Sequence, residues 1–133
     1  MNPDYSGTFV FENDFPALLP DPLPQIHEEH ELLKSEPVQG ICRVICFSPR
    51  HDLTLSQMSV AEITRVVQTW KQQYIELSSL DDIQYVQIFE NRGEMMGCSN
   101  PHPHGQIWSL SVLPNEIIKE QSSQQAYLES HGR

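Results

Sequence analysis

SVAEITRVVQTWKQQYIELS, residues 59–78, is the stretch that sets the fold class. Ser59-Val60-Ala61-Glu62 has the form of a capping box, in which a hydroxyl and a carboxylate three residues apart each satisfy an orphan backbone N–H. Val60, Ile63, Val67, Trp70, Tyr74 and Leu77 follow at steps of three and four, one apolar stripe about five turns long. A stripe of that width needs a sheet to lie on, and the flanks supply strands. Upstream, Ile41-Cys42-Arg43-Val44-Ile45-Cys46-Phe47-Ser48 reads as a mostly buried strand stopped by Pro49. Downstream, 84–91 reads as a second long strand after the turn signal at 78–82. Thr8-Phe9-Val10-Phe11 predicts a short first strand, and strand-forming residues resume at His102 and run to Leu113. Pro114-Asn115-Glu116 opens a final amphipathic helix with Asn115 as N-cap. Strand, strand, helix, strand, strand, helix, with consecutive strands antiparallel, gives an α+β class with an open sheet.

The remainder constrains function more by exclusion. The chain has 133 residues and a net charge of −10, from 8 Lys and Arg against 18 Asp and Glu. Phosphate backbones are held by clustered cations, so no nucleic-acid partner is expected, although a single nucleotide needs only a few local donors. No apolar run approaches the roughly 18–20 residues that span a bilayer, so no membrane partner is expected. Met1 to Tyr5 carry neither a basic flank nor an apolar region, and no signal peptide is expected. Cys42, Cys46 and Cys98 are too few for a disulfide framework, which sets the expectation of a reducing, cytoplasmic setting. Cys42 and Cys46 would lie ~13 Å apart on one strand face, too far to pair or share an ion, and read as small core hydrophobes. Between Pro16 and Pro37 five prolines forbid helix or central strand, so this is a long surface loop. His27 and His30, among Glu28, Glu29, Glu31 and Glu36, read as its solvated polar residues.

The chemistry concentrates in Gly97-Cys98-Ser99-Asn100-Pro101-His102-Pro103-His104-Gly105-Gln106-Ile107-Trp108. On an extended chain His102, His104 and Gln106 share one face, because the strand period is two. Two imidazoles and a carboxamide in a row make a poor core and a sensible wall for a polar ligand. Gly105 lets a backbone or a phosphate approach, while Pro101 and Pro103 stiffen the presentation. A neutral imidazole can attack phosphorus and pass the phosphoryl group on, with a neighbouring amide donating to the charge that develops. An H-x-H pair can also ligate zinc, although a structural site wants about four ligands. Satisfied polar residues on a sheet are the third reading, and residue chemistry alone leaves all three open.

The twelve-residue segment closely resembles the active-site segment of the galactose-1-phosphate uridylyltransferase family, a branch of the histidine-triad superfamily. Asn2-Pro3-Asp4-Tyr5, Asn13-Asp14-Phe15-Pro16-Ala17-Leu18, Val44-Ile45-Cys46-Phe47-Ser48-Pro49 and Phe89-Glu90-Asn91-Arg92-Gly93 resemble that family too, in its order. The resemblance implies that His104 is the nucleophile of a ping-pong exchange of UMP between UDP-glucose and hexose 1-phosphates, giving UDP-galactose in the Leloir pathway of galactose metabolism. Gln106 then hydrogen-bonds the transferring phosphoryl group. Asn91, Gly97, Cys98 and Ser99 contact the nucleotide phosphates, and Asn13 and Asp14 hold the uridine end. It also implies zinc on His51 and His102, iron at a second site through Glu120, and a homodimer for the full-length protein.

The departures from the family concern missing parts. Its zinc site takes two cysteines of a C-x-x-C upstream of the region matching Asn2, and Cys42 and Cys46 have the wrong spacing in the wrong place. The histidine partners of Glu120 and most of the sugar-phosphate site lie in the family's second half. The expectation is therefore an incomplete N-terminal-type domain over 1–133, with half a zinc site and with Val44, Phe47, Val86, Ile88 and Phe89 left uncovered. A catalytically inactive nucleotide-binding remnant is the alternative function. A stand-alone histidine-triad hydrolase fits less well, since those favour a histidine where Gln106 stands.

Overall fold

The computed structural model describes residues 3–21, 32, 33, 35–98 and 100–132. Four strands, β1 (Phe9–Glu12), β2 (Gly40–Cys46), β3 (Tyr85–Asn91) and β4 (His104–Leu110), form one sheet in the order β1-β2-β4-β3, and every neighbouring pair is antiparallel. Helix α1 (Val60–Ser78) joins β2 to β3, and α2 (Asn115–His131) follows β4. The α+β class and the open antiparallel sheet are those expected. No helix among the described residues is long and apolar enough to cross a membrane.

β4 is the central strand that positions everything else. Its residues alternate half-buried and buried along its length, so His104, Gln106 and Trp108 face one side while Gly105, Ile107 and Ser109 face the other. The second side carries the core. Ile45, Phe47, Met58, Val66, Leu77 and Ile107 cluster there, with Val86, Ile88 and Trp70 packed against them. Each such side chain withdrawn from water contributes about 1.5–3 kcal/mol. Ser109 enters this core without loss, because its hydroxyl donates to the Ile41 carbonyl and accepts from the Ile41 N–H.

α1 begins where its capping box predicts. The Ser59 hydroxyl accepts from the Glu62 N–H, and the Glu62 carboxylate accepts from the Ser59 N–H at 2.8 Å. The expected stripe is corrected by the packing. Only Trp70 and Leu77 of that stripe turn to the sheet. Val66 is fully buried, whereas Val60, Val67 and Tyr74 are exposed. Polar anchors explain the rotation. Arg43 on β2 projects at the helix, donates to Gln73 Oε1 at 2.6 Å and pairs with Glu76 at 2.8 Å, while Thr8 bonds Thr69 at 2.8 Å. These bonds draw the 66, 69, 70, 73 and 77 face inward, and periodicity cannot see them.

Three further expectations change. α2 buries no residue, so it is not the amphipathic packing helix expected, and Pro114 rather than Asn115 occupies its N-cap without a side-chain cap. The last strand is shorter than 102–113, because His102 and Pro103 form a bend before pairing starts. Phe47, Val86 and Ile88 are not left open, since they lie in or against the core under α1. Of the proline-rich loop, residues 22–31 and 34 lie outside the described residues, His27 and His30 among them. The described parts of that loop contain no helix or strand.

Candidate active site

The open face of the sheet is built by strand register. Cys46 and Asn91 flank His104, Val44 and Phe89 flank Gln106, and Cys42 and Gln87 flank Trp108. At the end of this face a cleft of about 680 Å³ is lined by Tyr5, Phe11, Val44, Cys46, His51, His102 and His104, among others. Beside it, a hollow of about 380 Å³ takes in Asn91, Cys98, Asn100 and the other side of His102.

His104 sits at the first paired position of β4, so its backbone is held by both neighbours. Its Nδ1 lies 2.6 Å from the His102 carbonyl oxygen. A carbonyl only accepts, so Nδ1 carries the proton and Nε2 keeps its lone pair. Of the two neighbours expected at Gly105, a backbone or a phosphate, the structure supplies the backbone. A Cβ there would stand 2.3 Å from the Phe89 carbonyl oxygen and 2.9 Å from the Phe47 ring, on the helix side of the sheet. Its bareness admits the adjacent strand, and the phosphate reading of Gly105 is set aside.

His102 lies just before the strand, on the cleft side. Tyr5 donates its hydroxyl to the Ser48 carbonyl at 2.9 Å and stands 3.0 Å from His102 Nε2. With the phenol proton so engaged, Nε2–H of His102 donates to the Tyr5 oxygen and Nδ1 is left as a lone pair. That lone pair meets His51 Nδ1 at 2.9 Å. Burial, and then the neighbouring His51 and His104, hold the His102 pKa below the ordinary histidine value, so the ring is neutral at neutral pH. Burial likewise raises Tyr5 above the usual tyrosine range. Two converging ring nitrogens suit half of a tetrahedral metal site. Among the described residues no group of three or more His, Cys, Asp or Glu completes one.

Gln106 is held at one end only. Its Oε1 accepts from the Trp108 indole at 2.9 Å and from Asn13 Nδ2 at 3.4 Å. Asn13 is itself fixed in an Asx turn, its Oδ1 accepting from the Phe15 N–H at 3.1 Å. Asp14 is exposed beside it. Asn91 pairs across strands with His104, and its buried Oδ1 has no hydrogen-bond partner among the described residues. Gly97 adopts a left-handed conformation, φ 77°, closing the turn Glu94–Met96, and Cys98 donates its N–H to the Gly93 carbonyl. Ser99 lies outside the described residues. Glu120 stands apart, exposed on α2.

The face thus gathers His51, His102, His104, Gln106, Asn13 and Asn91, while Glu120 is not part of it. Sequence reasoning assigned no role to Tyr5 or Trp108. The period-two reading that put His104 and Gln106 on one face also puts Trp108 there, whereas nothing local links Tyr5 to a histidine 97 positions away. Cys42 and Cys46 are buried as expected, but on the open-face register, with Cys46 opposite His104.

This sheet has the fold of solved uridylyltransferases. One such structure superposes with a TM-score of 0.84 over 95% of this chain and 40% of its own length at 24% identity. An ADP-glucose phosphorylase from Arabidopsis thaliana, solved with bound ADP-glucose, superposes with a TM-score of 0.79 at 26% identity, covering 96% of this chain and 39% of its own. The chain belongs to the galactose-1-phosphate uridylyltransferase family, since residues 1–114 match the model of "Galactose-1-phosphate uridyl transferase, N-terminal domain". Curated relatives named galactose-1-phosphate uridylyltransferase include one from Cryptococcus neoformans, 55% identical over 90% of this chain and 33% of its own length. A second, from Haemophilus influenzae, is 50% identical over 99% of this chain and 37% of its own length. The chain spans about a third of the length of these relatives.

Proposed function

We propose that this chain carries the nucleotide half of a uridylyltransferase site, in which His104 takes UMP from UDP-glucose and gives it to a hexose 1-phosphate. The carrying observation is the bond from His104 Nδ1–H to the His102 carbonyl, which leaves Nε2 free to attack. Nε2 would form a bond to the α-phosphorus as the bond from that phosphorus to the bridging oxygen breaks, and glucose 1-phosphate leaves with the electron pair. A phosphate oxygen of galactose 1-phosphate then attacks the same phosphorus, yielding UDP-galactose and restoring the imidazole. The Gln106 amide donates to the non-bridging oxygens. Asn91 and the loop through Gly97, Cys98 and Ser99 meet the phosphates, and Asn13 and Asp14 the uridine end. Family membership and the names of the relatives support this transferase role in galactose metabolism.

The metal assignments are also proposals. His51 and His102 would hold a zinc ion through their Nδ1 atoms, and such an ion would fix the His102 carbonyl that orients His104. With only the two ligands found among the described residues the affinity would be weak, and replacing His51 by Ala should abolish the binding heat in zinc titration calorimetry. Glu120 would serve a second, iron-type site. A cytoplasmic location and a homodimer of the full-length protein complete the reading. The alternative, a nucleotide-binding remnant without turnover, is favoured by one observation, that the described residues supply only part of a metal site.

The test grafts residues 1–133 in place of the matching residues of the bacterial relative. Intact mass after exposure to UDP-glucose should show one UMP adduct, absent in His104→Asn and reduced but present in His102→Asn. Undiminished adduct in His104→Asn would refute the assignment.

A further inference from the structure

We infer that Trp108 is a positioning residue that sets the orientation of the Gln106 carboxamide, so that its NH2 group and not its oxygen meets the phosphoryl oxygens of a bound nucleotide. The inference rests on the functional reading above and adds a residue to it. An indole N–H only donates, so the Gln106 atom 2.9 Å from it is the oxygen. Asn13 is oriented independently by another obligate donor, the Phe15 backbone N–H at 3.1 Å. That turns the Asn13 NH2 toward Gln106 Oε1 at 3.4 Å. Two donors thus converge on one carbonyl oxygen, and the Gln106 NH2 points away from both. Rotating the amide by half a turn would set NH2 against two N–H donors and lose both hydrogen bonds.

Trp108 is itself well held. Its ring meets Phe89 edge-on at 5.5 Å and 81°, and strand pairing with Cys42 and Gln87 fixes its backbone. Gln106 shares its face with His104 two residues away, within the reach expected of one phosphoryl group. An amide free to flip would present its oxygen to that anion part of the time, which is repulsive. Trp108 therefore acts through Gln106.

The probe is UMP, titrated into the isotopically labelled chain and followed by NMR. Trp108→Phe keeps an aromatic ring against Phe89 and removes only the indole donor. It should weaken UMP binding roughly three- to tenfold, and Gln106→Ala by a similar or larger factor. The double variant should bind no more weakly than Gln106→Ala alone, because the indole has nothing left to orient. Independently of any ligand, the Trp108 indole proton should exchange with solvent faster in Gln106→Ala. Losses that multiply in the double variant, or wild-type affinity in Trp108→Phe, would overturn the inference. A chain with no UMP affinity would contradict the proposed function, and indole exchange unchanged by Gln106→Ala would then still refute the positioning role.

Discussion

At the residue scale, the candidate site depends on groups that can only donate or only accept. The His102 carbonyl fixes the proton of His104, the Ser48 carbonyl fixes that of Tyr5, and the indole fixes the amide of Gln106. None of these needs a bound ligand, so the site is preorganised by its own chain. Gly105 sits between two of these residues and has no slack. Gly105→Ala must move the Phe89 backbone or the β4 strand, and should destabilise the chain by about 1–3 kcal/mol or more, read from urea unfolding. Equal stability of the variant would contradict the close approach described. Tyr5→Phe removes the hydroxyl that bridges Ser48 and His102 and should cost about 1 kcal/mol, while leaving the secondary structure seen by circular dichroism intact.

At the element scale, the capping box of α1 carries a prediction of its own. Ser59→Ala should cost about 1 kcal/mol in thermal or urea unfolding. The bonds from Ser59 hold the Glu62 carboxyl below its ordinary pKa. A carboxyl depressed in the folded state contributes stability above its unfolded value and loses it as pH falls through the folded value. Melting temperature should therefore fall toward acid less steeply in Glu62→Gln than in wild type, and parallel curves would contradict the box. Elements were legible in the sequence wherever one local rule decided them. Ser59 and Glu62 marked the start of α1, and the alternation through 104–108 gave the two faces of β4. What stayed hidden depends on partners distant in sequence. The inward turn of Val66 follows from Arg43 reaching Gln73 and Glu76, and the place of Tyr5 follows from a bond to His102. α2 was misread because its isoleucines invite a packing face that no described residue provides.

At the scale of the whole molecule, one face of the sheet is packed and the other is a site, which leaves apolar surface on the outside of α1. Val60, Val67, Tyr74 and Ile75 are exposed there, and β1 and β3 are the sheet's edge strands. Unpaired edges and an apolar helix face favour association, while the charge of −10 opposes precipitation. The chain by itself should form soluble oligomers by sedimentation velocity, shifting toward monomer in Val67→Lys, and should convert no UDP-glucose and galactose 1-phosphate. A monodisperse, active monomer would contradict both. The central claim is that His104 receives the nucleotide. Its most direct test is tandem mass mapping of the grafted protein after brief exposure to UDP-glucose. UMP attached at His104, within the peptide spanning 101–108, is the predicted result. UMP found on His51 or His102 instead, or no adduct in the graft while the unaltered bacterial relative is fully labelled, would contradict it.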